Sequence, residues 1–392
     1  MPLSQRVQAL AESATIAVST KAAELKRAGH DIVAFGAGEP DFDTPPHIKA
    51  FAHAHIDAGK TKYAPAAGVI EARQAVCEKF SRENGLSFEP KNIIITCGAK
   101  EAIYLAFAAL LDPGDEVILP VPYWVSFPEQ VKINGGIVKP LLGDESNSFK
   151  LRPEQIREAL TPRTRAFVLN SPSNPGGFTY TPDETRAIAS VFRGTRVTVL
   201  ADELYDRLRF DGVDYLSFAA VDDDARNRTI TINSPAKTYA MTGWRVGYAA
   251  AAPEIIAAMS RVQSHTTSGP CTFNQYSMAD ALRADQSGVD EMRRAYQQRG
   301  RHMHARLNTL RGVACVQPTG AYYCFANVRA TYAALGVTGS VEFSRLVLEK
   351  AHVALVPGIA FGSDDHVRLS FATSMEQIDK GLDRLEKLLG RK

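Results

Sequence analysis

Several things are scarce in this chain of 392 residues, and each scarcity removes a class of protein. Cysteine occurs five times, as Cys77, Cys97, Cys271, Cys315 and Cys324, with no C-x-x-C pair. An odd count without a framework argues against a disulfide-stapled secreted fold and suits a reducing compartment. No apolar run reaches the ~20 residues that span a bilayer, and the opening M-P-L-S-Q-R-V-Q has no apolar signal core. A cytoplasmic location without membrane contact is the expectation. Charge of one sign is also missing: 45 Lys and Arg face 43 Asp and Glu, for a net +2. With no long basic run, nucleic acid is not an expected partner. H-E-x-x-H, G-x-x-x-x-G-K-[ST] and G-x-S-x-G are all absent, which disfavours zincin, P-loop and α/β-hydrolase chemistry. His53 and His55 lie two apart in a helical stretch, on different faces, and read as ordinary surface residues rather than ligands.

What remains is an ordinary globular composition, 45% hydrophobic and 22% charged, long enough for roughly two to three domains or one large enzyme subunit. Residues 5–28 read as a helix stopped by Gly29. A short strand over 31–35 then runs into G-A-G-E-P-D-F-D-T-P-P, residues 36–46, which prolines keep irregular. It is no dinucleotide fingerprint, because the third glycine is missing. From residue 47 the pattern alternates. Helical stretches near 47–58, 69–84, 99–111, 123–134, 153–160 and 181–192 are separated by apolar strands over 92–96, 116–119, 166–170, 197–201, 229–233 and 246–252. Alternation of this kind predicts an α/β layer with a mostly parallel sheet, whose ligands sit beyond the carboxyl ends of the strands. An Arg-rich helix over 288–310 reads as a connection to a smaller α+β domain. That domain has strands over 313–317, 322–327, 353–356 and 367–371 and helices near 340–350 and 374–390.

Unusual residues fall just after several strands. In S-P-A-K-T-Y-A-M-T-G-W-R-V-G-Y, residues 234–248, Lys237 stands among small and apolar side chains. Such surroundings lower a lysine's pKa and free its amine to form a Schiff base with a carbonyl, including the aldehyde of pyridoxal phosphate. Ser234 and Arg245 could hold that cofactor's phosphate; the bland alternative is a solvent lysine and a surface ion pair. T-C-G-A-K-E-A, residues 96–102, opens a helix with small residues that let backbone N–H groups reach a phosphate, although helices often open so. Trp124 follows a proline-rich turn and either stacks on a flat cofactor or fills a core. N-S-P-S-N-P-G-G, residues 170–177, puts amide side chains at the sheet's ligand edge or simply makes turns. Asp202 closes the apolar run V-T-V-L-A, where a carboxylate needs a positive partner. A pyridinium nitrogen would serve, with Tyr205 in reach of the same ring; a structural arginine is the alternative. Arg368, in H-V-R-L-S-F, is either a bidentate grip on a substrate carboxylate or a cross-domain salt bridge.

Taken in order, these stretches resemble the pyridoxal-phosphate-dependent aminotransferases of fold type I, class I/II, on the bacterial and thermophile aspartate aminotransferase branch. The matching segments are S-A-T (13–15), A-G-E-P-D-F-D-T-P (37–45), K-T-K-Y (60–63), P-Y-W (122–124), N-S-P-S-N-P (170–175), A-D-E-L-Y (201–205), A-K-T-Y-A-M-T-G-W-R-V-G-Y (236–248) and H-V-R-L-S-F-A-T-S (366–374). They cover nearly the whole chain. The resemblance implies a three-layer large domain over 46–299, and a small α+β domain built from the N-terminal segment 1–45 and residues 300–392. Lys237 would hold the cofactor and shuttle the substrate's Cα proton. Asp202 would pair with the pyridine nitrogen, Asn174 and Tyr205 would bond the ring's 3′ oxygen, and Trp124 would stack on the ring. Ser234, Arg245 and the backbone at Ala99 and Lys100 would bind the phosphate, with Tyr63 arriving from the other subunit of a homodimer. Arg368 would clamp the α-carboxylate of the amino acid or 2-oxo acid, helped by Gly38 and Asn174. Closure of the small domain would expel water.

Three departures bear on the substrate. Ala11-Glu12 stands where the family often has K-P, which weakens a prephenate reading. N-P-T-G is N-P-G-G here, and T-T-S-G-P-C-T-F at 266–273 differs from the common forms near the dimer interface. Lys100 and Thr15 are candidates for binding a distal carboxylate, and aspartate or glutamate is the favoured donor. A same-fold lyase or an aminotransferase for aromatic or other amino acids is the enzymatic rival. A cofactor-sensing regulatory domain is the non-enzymatic one, disfavoured because it needs an attached DNA-binding module.

Overall fold

The computed structural model describes residues 3–11 and 14–392. Ser13 of the S-A-T segment and Glu12 of the departure beside it lie outside those residues. A seven-stranded sheet forms the centre: β1 (Ile93–Thr96), β2 (Glu116–Val121), β3 (Ile137–Leu142), β4 (Thr164–Asn170), β5 (Thr198–Asp202), β6 (Thr229–Asn233) and β7 (Gly247–Ala250). Their spatial order is β1-β7-β6-β5-β4-β2-β3. All neighbours are parallel except β7, which runs antiparallel to both β1 and β6.

Both faces of this sheet are covered, which is why its inner strands are apolar without alternation. Leu200 of β5 packs with Ile230, Ile232, Val168 and the helix Ala99–Leu110 on one face. Its neighbours Val199 and Ala201 point the other way, against Ile188 and Phe192, contributed by the helix Pro182–Val191 and its end. The period-2 pleat therefore divides one run, T-V-L-A-D, between two cores.

A second sheet holds β8 (Ala314–Cys315), β9 (Tyr323–Asn327), β10 (Val356–Pro357) and β11 (His366–Ser370), in the order β10-β11-β9-β8 and antiparallel throughout. Phe325 lies opposite Arg368 in its register. The helices Ser340–Ala351, Met375–Leu389 and the long Ser287–Leu307 surround it. The last helix of the chain shows its logic plainly. Ser374 caps its N-terminus by accepting from the Gln377 amide, and Ile378, Gly381, Leu382 and Leu385 make one buried stripe. Val33–Ala34 pairs in parallel with Val353–Ala354, so the N-terminal segment packs with the C-terminal part of the chain.

Four expectations need correction. Residues 5–28 are two helices, Gln5–Gln8 and Ala14–Arg27, with Leu10 and Ala11 outside both. Strand β3 was not expected; its sequence I-V-K-P-L-L carries a proline, tolerated because β3 is an edge strand. Helices Pro253–Ser264 and Thr272–Arg283, in stretches without an expected element, cover opposite faces of β1 and β7. His55 is no plain surface residue, since its Nε2 meets Asp280 Oδ2 at 2.7 Å and ties two helices together.

Candidate active site

The carboxyl ends of β1, β2, β4, β5 and β6 meet one edge of the sheet, and the reversed β7 brings its amino end to the same edge. A cavity of about 510 Å³ opens there. It is lined by Thr15, Gly38, Ala99, Lys100, Trp124, Asn174, Asp202, Tyr205, Ser234, Lys237, Arg245 and Arg368, so twelve of the thirteen residues singled out in the sequence converge. Tyr63 does not join them. It is fully exposed and lines a separate concavity with Thr267 and Cys271.

Lys237 lies on the short helix Pro235–Thr238, started by Pro235 and capped by Ser234. Its Nζ donates to the Gly38 carbonyl at 2.5 Å, and that carbonyl also accepts from Tyr322 Oη at 3.0 Å. Burial pushes the ammonium down to about 8; Arg368 and Arg245 push the same way, while Glu39 and Asp202 oppose. The neutral amine is therefore accessible near neutral pH.

Asp202 ends β5 and is 6% exposed. Burial raises its carboxyl to about 7, opposed by the Leu204 amide, which donates to Oδ1 at 3.3 Å, and by the Lys237 charge. Such a carboxylate is incompletely satisfied and calls for a cation in the cavity. Beside it, Asn170 Nδ2 donates to the Asp202 carbonyl (3.1 Å), and Asn170 Oδ1 accepts from the Asn174 amide (2.7 Å). Asn174 is thus set by its neighbour on β4, and its own Oδ1 accepts from Arg368 Nη1 at 3.0 Å.

Arg368 is 2% exposed. Its Nη2 donates to the Gly36 carbonyl at 2.9 Å, and its guanidinium lies 4.4 Å from the Tyr323 ring centroid and 5.1 Å from that of Phe361. Nε has no hydrogen-bond partner. Among the described residues no carboxylate forms an ion pair with Arg368, and its guanidinium lines the cavity.

The helix Ala99–Leu110 points its N-terminus at the other end of the cavity. Gly98, its N-cap, has φ +82°. A Cβ there would lie 2.7 Å from Arg245 Nη2, and one at Gly247 would lie 2.6 Å from the Ala99 nitrogen. Among the described residues nothing accepts from the Ala99 and Lys100 amides. Arg245 is held by two carbonyls, Thr242 (2.8 Å) and Cys97 (3.3 Å). Open amides, a guanidinium and the helix dipole make an anion cradle. Ser234 borders it, but its hydroxyl donates to the Val246 carbonyl (2.8 Å) and accepts from the Ala236 amide (3.0 Å). Cys97 is no nucleophile, since burial, then the Glu101 charge, pushes its thiol up to about 11. Trp124 is half-buried, with Lys100 Nζ 5.0 Å from its ring centroid.

Sequence reasoning missed Tyr323, and it placed Asn170 among the amides at the sheet's ligand edge without a role of its own. Tyr323 shares a hydroxyl–hydroxyl contact of 3.1 Å with Tyr205 and floors Arg368. Asn170 sets Asn174. Tyr323 sits in A-Y-Y-C-F, opening a strand of the other sheet, and only the pairing with β11 brings it here; Asn170 ended an expected strand, and its position there was the available signal.

The family described as aminotransferase class I and II matches residues 30–385. The chain belongs to that family. It is 44% identical to the aspartate aminotransferase of Geobacillus stearothermophilus over 99% of each chain, and 44% identical to the aspartate/prephenate aminotransferase of Thermus thermophilus, again over 99% of each. The solved structure of the Thermus thermophilus aspartate aminotransferase with maleate superposes with a TM-score of 0.94 at 44% identity, covering 99% of this chain and 100% of that one. Membership implies pyridoxal phosphate, and the aminotransferase cavity fits it. An amine of lowered pKa stands for the aldehyde, a half-satisfied buried carboxylate for the pyridinium, and a cradle that any Cβ would fill for the phosphate.

Proposed function

We propose that this aminotransferase uses pyridoxal phosphate to move an amino group from aspartate or glutamate to a 2-oxo acid such as 2-oxoglutarate. The observation that carries the reading is Arg368, a buried guanidinium without a carboxylate partner among the described residues, lining one cavity with Lys237. A planar guanidinium grips an α-carboxylate through two parallel hydrogen bonds. The cofactor, when bound, supplies the electron sink that makes a Cα proton removable. Lys237 then serves as the base and acid for that proton, its pKa near 8 suiting both directions. Asp202 would hold its negative charge against the ring nitrogen, Tyr205 and Asn174 would address the ring's 3′ oxygen, and Trp124 would bound the ring's place. Ala99, Lys100 and Arg245 would receive the phosphate, with Ser234, whose hydroxyl is engaged by Val246 and Ala236, bordering its place. Gly38 confines the substrate beside Lys237.

The dicarboxylate preference is supported by Lys100 and Thr15, which line the same cavity, by the names of the relatives, and by the dicarboxylate maleate in the Thermus structure. A prephenate substrate is the second reading. The Thermus relative's name favours it, while Ala11 in place of lysine weighs against it. We propose further that two chains form a homodimer in which the fully exposed Tyr63 of each reaches the other's phosphate cradle. The domain limits, 1–45 with 300–392 against 46–299, are part of the same reading. The pairing of Val33–Ala34 with Val353–Ala354 supports them, and helix Ser287–Leu307 runs across the junction. A cytoplasmic location accords with five free cysteines; among the described residues no helix is long and apolar enough to cross a membrane.

The test is the half-reaction. Purified, cofactor-loaded protein is given single amino donors without acceptor, and its absorbance and released 2-oxo acid are measured. Conversion by aspartate or glutamate supports the reading; conversion only by aromatic, branched or small donors removes the dicarboxylate preference. Release of ammonia or carbon dioxide instead of a 2-oxo acid would indicate a lyase. An identical spectrum for wild type and Lys237→Ala would remove the cofactor assignment.

A further inference from the structure

Glu101 takes no part in the chemistry described so far, yet its carboxylate bonds both to Cys97, beside the cavity, and to Thr267, which lines the second concavity. It is the third residue of helix Ala99–Leu110. In a capping box a glutamate at this place reaches back to the N-cap amide. Here the carboxylate reaches one residue further, and its Oε2 accepts from the Cys97 amide. The amides of Ala99 and Lys100 stay open because the N-cap, Gly98, has no side chain to accept from them. The Cys97 carbonyl, on the same fixed turn, accepts from Arg245 Nη2 at 3.3 Å. The other carboxylate oxygen, Oε1, accepts from Thr267 Oγ1 at 2.6 Å. Thr267 belongs to T-T-S-G-P-C-T-F, residues 266–273, and lines the second concavity beside Tyr63.

We propose that Glu101 is a positioning residue for the anion cradle: it fixes the Cys97–Gly98 turn that presents the open amides and anchors Arg245, and through Thr267 it ties that turn to the 266–273 segment. This rests on the reading that the cradle receives the cofactor's phosphate. Its carboxylate also places a negative charge in the first turn, so it orders the cradle while weakening its pull on an anion. The arrangement thus trades affinity for geometry, and those two effects separate by mutation.

The experiment measures inorganic phosphate binding to the cofactor-free protein by calorimetry, with hydrogen exchange at residues 97–100 and 266–273. Glu101→Gln removes the charge while its amide oxygen accepts from the Cys97 N–H and its NH2 donates to Thr267 Oγ1, so phosphate should bind about three- to tenfold tighter. Glu101→Ala frees the turn, so phosphate should bind about three- to tenfold more weakly despite the lost charge. Thr267→Val should raise exchange in both segments. A merely structural cap predicts unchanged phosphate affinity in Glu101→Gln and no transmission from Thr267→Val to residues 97–100, and that result overturns the proposal. If Glu101→Ala fails to fold, the other two variants decide. Wild-type protein that binds no phosphate, or binds it equally with Arg245→Ala, would instead overturn the underlying assignment of the cradle.

Discussion

Replacing Asp202 with asparagine should stabilise the cofactor-free protein while weakening the loaded one. The carboxyl is held at about 7 by burial, against ~3.9 in an unfolded chain. Below pH ~4 it is protonated in both states and contributes no ionisation difference. Between ~4 and about 7 the unfolded chain has lost the proton and the folded chain keeps it. The folded state then binds more protons, so stability falls as pH rises; above about 7 the loss is complete and constant. At about 1.36 kcal/mol per pH unit the full gap is worth about 4 kcal/mol, and water entering the cavity reduces it to about 2–4 kcal/mol. Asp202→Asn removes this penalty. Denaturant unfolding of the two cofactor-free proteins at intervals from pH 4 to 8.5 should give curves that coincide at the acid end, diverge through the window and run parallel above it. With cofactor present the order should reverse, because the ionised carboxylate then has its cation. Curves parallel at every pH would refute the argument that Asp202 is a buried, half-satisfied acid.

Three further outcomes follow from the same geometry. Arg368→Lys should lower kcat/KM by about a hundredfold, since one ammonium cannot reproduce two parallel hydrogen bonds (roughly 2–3 kcal/mol); steady-state kinetics with aspartate checks this, and a loss under fivefold would sink the carboxylate grip. Capture of pyridoxal phosphate by the cofactor-free protein should accelerate as pH rises through about 8, where Lys237 loses its proton; a rate flat from pH 6 to 9 would contradict the lowered lysine. Gly98→Ala should weaken phosphate binding by at least about tenfold and lower Tm, because the new Cβ meets Arg245 Nη2 at 2.7 Å and a φ of +82° disfavours any side chain; unchanged phosphate affinity by calorimetry would contradict the tight cradle.

The inner strands were legible in the sequence because burial on both faces makes them continuous apolar runs, and the residues after them were legible because the rest of such runs is so plain. Asp202 stands out after V-T-V-L-A for that reason. The edge strand Ile137–Leu142 was not legible: half-exposed and broken by Pro140, it lacks both the alternation and the continuity that mark a strand. The Tyr205–Tyr323 contact was equally hidden, since it joins β9 of the second sheet to the turn after β5, and no local pattern encodes a meeting across 118 positions. Ser234 shows the opposite limit. The sequence offered its hydroxyl to a phosphate, whereas the fold engages it with Ala236 and Val246, a local competition that composition does not reveal.

The reversed strand β7 also orders events during synthesis. It is the last strand of the large sheet to emerge, yet it is inserted between the first, β1, and β6. Residues 93–96 therefore have no neighbour along the sheet until residues 247–250 have been made. The same insertion delivers Arg245 and Gly247 to the cradle. A growing chain that stops short of this point has Lys237 and the open amides of Ala99 and Lys100 but lacks Arg245 and Gly247. On the proposed reading, the grip on a phosphate is therefore complete only once the sheet has closed.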